Sequence, residues 1–184
     1  MSMQRELVEQ AIKGDHDAFS ELVRLSSRKL YAVATLILRD KTRAEDATQE
    51  ALVAAWRDLS GLRDPDRFDA WLHRVLVREC YREAKRERRR IEVEGQIRPV
   101  NESMDPSHQN ADRDELERGF ARLPVDQRTV LVLHHYVGYS FPEIAETLGI
   151  PVGTAKSRVH RAASAMRAAL TADARTTTEG RTSA

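Results

Sequence analysis

The sequence contains 184 residues, with 30 Lys and Arg against 29 Asp and Glu, so its formal net charge is +1. Charged residues make up 32% and aromatic residues 5%, a composition that favours amphipathic helices and argues against an all-β sandwich or a collagen-like repeat. The single cysteine excludes an intrachain disulfide, and the longest apolar run, Ala51 to Trp56, is far shorter than the ~20 residues of a membrane helix. We therefore expect a cytoplasmic protein with no membrane insertion.

The first predicted unit is a helical domain spanning residues 1–91. Apolar periodicity and the positions of glycine and proline predict four helices, approximately Gln4 to Lys13, His16 to Leu38, Thr42 to Leu59 and Asp66 to Arg90. Asp15 lies directly before the second helix and is predicted to cap it. The third helix is predicted to begin with a capping box, Thr42 to Glu45, in which each end satisfies a backbone N–H of the other.

The remaining chain divides into a linker, a second helical domain and a tail. Residues 91–112 hold five acids, two prolines and one cation with no sustained period, so residues 92–112 are predicted to form a flexible acidic linker. Residues 113–170 return to a helical pattern, and residues 171–184 are predicted to be a disordered tail. The predicted helices of the second domain are Arg113 to Arg122, Val125 to Val137, Phe141 to Leu148 and Val152 to Leu170. The predicted fold class is therefore all-α, with two small helical domains.

The third predicted helix has one alanine-rich face and one polar face. Its core-facing positions are Ala44, Ala47, Ala51, Ala55 and Leu59. The positions that project the other way are Asp46, Gln49, Glu50, Val53 and Arg57. This mixture is typical of a protein-docking surface, because its carboxylates would repel nucleic-acid phosphates. Periodicity alone is equally compatible with a solvated face that binds nothing.

The fourth predicted helix carries a long basic band beside its apolar face, which includes Phe68 and Leu72. A projection at 100° per residue gives the members of the band as Trp71, Arg74, Arg78, Arg82, Lys85 and Arg89. Like charges four residues apart repel each other, so the band indicates an anionic partner, such as a nucleic-acid backbone, or internal compensation. The acids available for compensation are Glu79, Glu83 and Glu87. The alternative is that Trp71 belongs to the core and the arginines are solvated.

The second domain ends in a pattern typical of a helix-turn-helix. Ser140 and Glu143 form a predicted capping box for a short helix, and Gly149 and Pro151 mark the turn that follows it. The apolar stripe of the next helix is Ala155, Val159, Ala162 and Met166. The other face is polar and basic, and Pro151 to Leu170 contains four cations and no acid. Donors on such a face suit phosphates and base edges, which predicts DNA binding; the alternative is an ordinary helix pair with a solvated face.

Four short motifs are distributed over both predicted domains. They are Ala44-Glu45-Asp46-Ala47-Thr48-Gln49-Glu50, Phe68-Asp69-Ala70-Trp71-Leu72, Leu123-Pro124-Val125-Asp126-Gln127-Arg128 and Pro151-Val152-Gly153-Thr154-Ala155-Lys156-Ser157-Arg158. Together they resemble the motifs of bacterial RNA polymerase sigma factors, and most closely those of the extracytoplasmic-function group. The resemblance covers about residues 5–168, with the motifs in the family's order and the linker in the expected place.

The resemblance implies an alternative sigma factor, a dissociable and non-catalytic subunit of RNA polymerase that directs promoter-specific initiation. By that resemblance, the first domain binds the clamp helices of the core enzyme and the −10 element of the promoter, and helps to open the promoter. The second domain binds the flap of the core enzyme and the −35 element. An anti-sigma factor fits the same family as a further partner, and no cofactor is implied.

The resemblance and the helix faces together assign residues to three interfaces. Those for core polymerase are Asp46, Gln49, Glu50 and Val53. Those for −10 DNA are Arg63, Asp64, Arg67, Trp71, Arg74, Arg78 and Arg82, with a loop over Leu62 to Arg67 that captures a flipped base. Those for −35 DNA are Thr154, Lys156, Ser157, Arg158, His160 and Arg161. Many family members have Asn and Asp where this chain has Arg78 and Arg82, so the −10 sequence does not transfer.

Two other functional classes explain less of the sequence. A helix-turn-helix repressor or a response-regulator output domain accounts for residues 125–170 but leaves residues 42–90 unexplained. An enzyme requires a nucleophile with a base, a metal cluster or a phosphate-binding glycine loop. The candidate groups, His134, His135 and Cys80, lie in apolar helical runs and are predicted to be core residues. The six histidines are too scattered for a zinc site, so no catalytic site, metal or cofactor is predicted.

Overall fold

The computed structural model describes the backbone over residues 3–94 and 111–182, and the side chains over residues 3–93 and 116–171. The chain divides into two compact units, Met1–Asn101 and Glu102–Ala184. All regular secondary structure in the described residues is helical, which confirms the all-α prediction. Over the same ranges, no helix combines the length and the apolar character that a membrane span requires.

Over residues 3–94, the first unit contains four α-helices and two short 3₁₀ turns. The helices are α1 (Met3–Ile12), α2 (His16–Leu38), α3 (Lys41–Asp58) and α4 (Phe68–Glu94), and the turns are Leu59–Gly61 and Pro65–Arg67. Asp15 caps α2 as predicted, because its Oδ1 accepts hydrogen bonds from the N–H groups of Asp17 and Ala18 at 2.9 and 3.0 Å. The two 3₁₀ turns carry the chain from the end of α3 to the start of α4.

The start of α3 differs from the prediction. Asp40 caps this helix, because its Oδ1 accepts a hydrogen bond from the N–H of Arg43 at 2.9 Å. Arg39 ends α2 with a left-handed backbone (φ 58°), which leaves Asp40 as the extended residue (φ −148°) that meets the first free N–H groups of α3. The predicted capping box of Thr42 and Glu45 is therefore wrong, and the cap lies two residues earlier.

The core of the first unit forms where α3 packs against α2 and α4. The alanine-rich face is buried as predicted, and its members are Ala44, Ala47, Ala51, Ala55 and Leu59. The alanines allow α2 and α4 to approach α3 closely, and the large buried side chains of those two helices include Ile37, Phe68 and Leu76. Each fully buried side chain of that size stabilises the fold by roughly 1.5 to 3 kcal/mol. This packing directs the opposite face of α3 and the basic side of α4 outward.

The second unit is built around one long helix. Over residues 111–182 its helices are α5 (Ala111–Ala121), α6 (Val125–Leu131), α7 (Phe141–Leu148) and α8 (Val152–Thr182). The helix α8 contacts α5, α6 and α7. The buried side chains of this unit include Val130, Leu133, Ile144 and Val159. Because α7 packs on the first half of α8, the two helices form a helix-turn-helix whose far side is open to solvent.

A π-helical turn, Val132–Tyr136, interrupts the continuous helix predicted over Val125 to Val137. The N–H of Val137 donates to the carbonyl oxygen of Val132 at 3.0 Å, five residues earlier, so the turn holds one residue more than an α-helical turn. The extra residue rotates the side chains that follow, and His135 is exposed while His134 is half-buried. The prediction of a core position is therefore wrong for His135.

The helix ends differ from the predicted segment boundaries. The helix α4 continues to Glu94 and α5 begins at Ala111, so both enter the predicted linker, and residues 95–110 lie outside the described residues. The helix α8 continues to Thr182, through most of the segment predicted to be a disordered tail. That segment contains no proline, and its single glycine is Gly180, so no strong stop signal follows the predicted helix end.

Candidate polymerase and nucleic-acid interfaces

The first candidate site is the outward side of α3, here called the docking face. Its members are Asp46, Gln49, Glu50 and Val53. All four side chains are exposed, Val53 to 63%, because the alanine-rich side of the helix is buried against α2 and α4. Neither Asp46 nor Glu50 forms an ion pair with another described residue. The structure therefore brings together all four residues that were predicted to bind core polymerase. The aliphatic Val53 lies beside two carboxylates and one amide.

An aromatic cluster adjoins the docking face and was not predicted. Trp56 lies one turn beyond Val53 on α3 and is half-buried. Its ring centroid is 4.8 Å from that of Phe19 and 4.5 Å from that of His16, and both of these residues belong to α2. Continuing the helical projection past Val53 would have located Trp56, whereas its pairing with α2 depends on helix packing that residue spacing does not encode.

The second candidate site begins in the segment between α3 and α4. Arg63, Asp64 and Arg67 are exposed there. Asp64 stabilises the 3₁₀ turn, since its Oδ1 accepts a hydrogen bond from the N–H of Asp66 at 3.1 Å and its Oδ2 lies 3.9 Å from Nε of Arg67. Arg5 of α1 holds the same turn through Nη1, 2.6 Å from Oδ2 of Asp66. This support from α1 was not predicted, because it joins residues 61 positions apart.

The basic band continues from that segment along α4. The members of the band that were predicted to bind −10 DNA are Trp71, Arg74, Arg78 and Arg82. The three arginines are exposed. Trp71 is half-buried, with its ring centroid 6.0 Å from that of Phe68, so one side of the indole packs on the core and the rest meets solvent. Trp71 is therefore partly a core residue and partly exposed, and the loop residues and the band follow each other closely in the chain.

Glutamates compensate part of the charge of α4. Three ion pairs join residues three positions apart, namely Glu79–Arg82 at 2.8 Å, Glu83–Arg86 at 3.2 Å and Glu87–Arg90 at 2.7 Å. Glu79 makes a second ion pair, with Nε of Arg78 at 3.2 Å. The internal compensation that the sequence allowed is therefore present. It does not remove Arg78 and Arg82 from the surface, since their side chains remain 45% and 56% exposed.

The third candidate site is held by the turn between α7 and α8. The N–H and the hydroxyl of Ser140 donate to Oε2 of Glu143 at 2.8 and 2.6 Å, which confirms the predicted capping box and lowers the pKa of Glu143. Gly149 ends α7 with a left-handed backbone (φ 65°), and the N–H of Ile150 donates to the carbonyl oxygen of Ala145 at 3.0 Å. These bonds fix the direction in which α8 leaves the turn.

The solvent side of α8, here called the recognition face, carries exposed polar and basic side chains. Its members are Lys156, Ser157, His160 and Arg161. On the opposite side, Ala155, Val159 and Ala162 are buried as predicted, whereas Met166, the fourth member of the predicted stripe, is half-buried. Thr154 and Arg158 are half-buried at the margin of the face. The structure thus places four of the six predicted −35 residues on one exposed surface, with the other two beside it.

Stacked rings lie behind the recognition face. The ring of His134 stacks on Phe141 with centroids 5.1 Å apart and planes inclined by 21°, and Phe141 lies 6.3 Å from His160. Nδ1 of His134 is 2.8 Å from the carbonyl oxygen of Tyr139. The π-helical turn therefore places one histidine in a supporting position for α8, which the predicted continuous helix did not reveal.

The remaining candidate for enzymatic chemistry is Cys80, which is fully buried in α4 as predicted. Burial raises the pKa of the thiol to about 12, with a smaller contribution from the charge of Glu79, so the thiol is protonated at neutral pH. Over the described side chains, no three His, Cys, Asp or Glu residues are grouped as a metal ion would require.

Comparisons with known proteins assign the two units. Residues 22–90 match the family Sigma-70 region 2, and residues 113–166 match Sigma-70, region 4. The ECF RNA polymerase sigma factor SigM of Mycobacterium tuberculosis is 33% identical over 157 residues, which is 85% of this chain and 79% of that protein.

Two solved structures are also similar. CnrH, a sigma factor of Cupriavidus metallidurans, solved in complex with the cytosolic domain of CnrY, aligns with a TM-score of 0.67 and 31% identity over 94% of this chain and 99% of that chain. RpoE of Bartonella quintana, solved with the anti-sigma factor NepR, aligns with a TM-score of 0.71 and 26% identity over 84% and 98%. The chain belongs to the extracytoplasmic-function sigma factors, which direct promoter-specific transcription initiation by RNA polymerase.

Proposed function

We propose that this sigma factor uses three separate surfaces: the docking face binds core RNA polymerase, the basic band binds the −10 element, and the recognition face binds the −35 element. The observation that carries the proposal is the separation of charge between exposed helix faces. The docking face holds two carboxylates, and Arg57, the cation that projects on the same side of α3, is paired with Asp58 at 3.2 Å. By contrast, Pro151 to Leu170 contains four cations and no acid. The docking face therefore repels phosphates, and the recognition face attracts them.

The docking face suits a protein partner of complementary chemistry. Val53 offers an exposed aliphatic contact, and Asp46 and Glu50 surround it with charge that basic side chains can neutralise. The family resemblance identifies the clamp helices of core polymerase as this partner. The same resemblance assigns the flap of the core enzyme to the second unit.

The loop and the basic band suit the opened strand of the −10 element. Arg63, Asp64 and Arg67 are exposed directly before Trp71, whose half-exposed indole is available to an unpaired base. Stacking on an aromatic side chain contributes about 1 to 3 kcal/mol per base. The arginines that follow on α4 attract the phosphates of the same strand. Capture of a base in this way reads sequence, and helps to hold the promoter open, without any catalytic step.

The recognition face suits the −35 element as duplex DNA. A helix of this exposure and charge enters the major groove, where Lys156 and Arg161 can reach phosphates or guanine edges and Ser157 and His160 can donate to base edges. Thr154 and Arg158 lie at the margin, close to the first turn of α8, where phosphate contacts position a recognition helix. The face therefore combines positioning contacts with base readout.

An anti-sigma factor is included in the proposal as a regulator. The solved relatives CnrH and RpoE are each bound to another protein, CnrY and the anti-sigma factor NepR. A protein that covered the docking face of this chain would prevent core binding without altering either DNA surface. As a subunit of bacterial RNA polymerase, the chain would act in the cytoplasm.

The test is a pull-down of core RNA polymerase with the purified chain, followed by run-off transcription on candidate promoters. Asp46→Lys with Glu50→Lys should abolish retention of core polymerase and leave helicity and melting temperature nearly unchanged, because both side chains are exposed and unpaired among the described residues. The matched control is Glu6→Lys with Glu92→Lys, which makes the same charge change at exposed acids on α1 and α4 and should bind as wild type. Wild-type retention by the Asp46 and Glu50 variant would overturn the docking role.

A further inference from the structure

Glu79 is the most deeply buried ion-pairing glutamate of α4. Its side chain is 6% exposed, compared with 15% for both Glu83 and Glu87, which occupy the next two turns. A carboxylate at that depth is unfavourable unless cations and hydrogen-bond donors neutralise it. Two arginines do so here, whereas Glu83 and Glu87 each hold one.

The buried carboxylate of Glu79 holds the side chains of both Arg78 and Arg82 by hydrogen bonds. Nη1 of Arg82 donates to the two carboxylate oxygens at 2.8 and 3.0 Å, and Nε of Arg78 donates to Oε1 at 3.2 Å. Nη2 of Arg78 also lies 3.8 Å from Oδ2 of Asp58, the last residue of α3. Arg82 uses one nitrogen for Glu79, and a guanidinium has five N–H groups, so donors remain for an outside partner.

From this arrangement we propose that Glu79 is a positioning residue, which holds Arg78 and Arg82 at a fixed separation for two neighbouring phosphates of the promoter strand. The inference rests on the −10 role assigned above to the basic band. Free arginine side chains lose rotamer entropy when they bind, and a guanidinium that is already held loses less. The two residues are four positions apart, so their Cβ atoms lie about one helical turn from each other on the same side of α4.

Glu79 has two opposing effects on DNA binding. The proposal can therefore be tested by whether Glu79→Gln strengthens or weakens that binding. The negative charge weakens the long-range attraction of phosphates, so a role in charge alone predicts that Glu79→Gln strengthens binding. A positioning role predicts the reverse, because the amide of Gln presents its own N–H groups to the arginines and cannot hold them as a carboxylate does. Glu83→Gln is the matched control, since it removes the same charge one turn away from a pair that involves only Arg86.

The experiment measures binding of the assembled holoenzyme to a fork-junction DNA that carries the single-stranded −10 region of a promoter transcribed in the run-off assay. Glu79→Gln should weaken binding about tenfold, while Glu83→Gln should change it by less than about twofold or strengthen it. Adding Glu79→Gln to Arg78→Ala with Arg82→Ala should cause no further loss, because Glu79 acts through those two side chains. The positioning role would be overturned if Glu79→Gln bound the DNA more tightly than wild type. It would also be overturned if Glu79→Gln weakened binding as much in the variant that lacks Arg78 and Arg82 as it does in the wild type.

A second variant keeps the test informative if Glu79→Gln lowers the stability of the fold. Glu79→Asp retains the charge but withdraws the carboxylate from both guanidinium groups by one methylene, and should weaken binding about threefold. Wild-type affinity of this variant would contradict the proposal. If Arg78→Ala with Arg82→Ala itself binds the fork DNA as wild type, the −10 role of the band is wrong; if only Glu79→Gln is silent, that role stands and the positioning inference is wrong.

Discussion

The two basic helices of this protein present their cations in different ways. On α8, Lys156 and Arg161 form no ion pair with any described residue, whereas on α4 Arg78 and Arg82 share the buried carboxylate of Glu79. Both helices expose these cations to solvent. The cations of α8 keep their full charge and their freedom to adapt, while those of α4 are partly neutralised and held.

The difference corresponds to the two states of promoter DNA that the surfaces are proposed to meet. A duplex groove presents many phosphates and base edges, so unpaired, adaptable cations add attraction over about a Debye length, ~8 to 10 Å. An opened strand is flexible and loses entropy on binding, so an arginine pair of fixed geometry limits further entropy loss on the protein side. Net charge alone hides this contrast, because both helices are rich in arginine.

The largest effect is expected at the recognition face. His160→Ala with Arg161→Ala should reduce run-off transcription from promoters with a strong −35 element by about 100-fold, because two base contacts at roughly 1 to 3 kcal/mol each are lost. Arg167→Ala is the matched control, an exposed arginine about two turns further along α8, and should transcribe as wild type. The role fails if the double variant transcribes all −35 variants with wild-type ranking and yield.

A smaller effect is expected on α4, because its cations are already partly neutralised. Arg78→Ala with Arg82→Ala should weaken holoenzyme binding to fork-junction −10 DNA about 30-fold at moderate salt, more than Glu79→Gln does, and should reduce the log–log salt slope by about 0.7 per lost phosphate contact. Arg86→Ala with Arg90→Ala provides the control for lost charge on the same helix. A salt slope equal to that of the wild type would show that Arg78 and Arg82 face only solvent.

The support of the recognition face can be tested through the turn before α8. Gly149→Ala should lower the free energy of unfolding by about 1 to 2 kcal/mol, because the left-handed backbone at this position (φ 65°) is strained for a residue with a Cβ. Gly153→Ala is the control, since this glycine is helical and a Cβ there meets open space, and it should be neutral or slightly stabilising. Denaturant unfolding measures both, and equal stability of the two variants would contradict the turn geometry.

The smallest effect is expected from the second acid beside Arg78. Asp58 is 43% exposed and its Oδ2 lies 3.8 Å from Nη2 of Arg78, a distance and exposure at which ion pairs contribute about 0 to 1 kcal/mol. Asp58→Asn should therefore change fork-DNA affinity by no more than about twofold. A loss greater than that of Glu79→Gln would show that Asp58, rather than Glu79, holds Arg78.

Helix faces could be predicted from the sequence because a period of 3.6 residues determines which positions are buried together. The alanine-rich side of α3, the docking face opposite it and the apolar stripe of α8 all follow from that period. Motif order then gave the family, which the comparisons confirm.

Features that depend on neighbouring elements were not predictable in the same way. Asp40 replaces Thr42 as the cap of α3 because the left-handed end of α2 brings it there. Glu79 could be read only as a generic compensating acid, since its burial depends on how α4 packs in the folded unit. The π-helical turn at Val132–Tyr136 and the contact of Arg5 with Asp66 leave no periodic signal at all.

The most direct test of three separate surfaces is run-off transcription on a promoter set in which the −10 and −35 elements are varied one at a time. His160→Ala with Arg161→Ala should change the ranking of −35 variants and leave the ranking of −10 variants as in the wild type. Arg78→Ala with Arg82→Ala should do the reverse, and both variants should retain core polymerase in the pull-down. A pair of substitutions that altered both rankings to the same extent, or neither, would contradict the assignment of separate elements to α4 and α8.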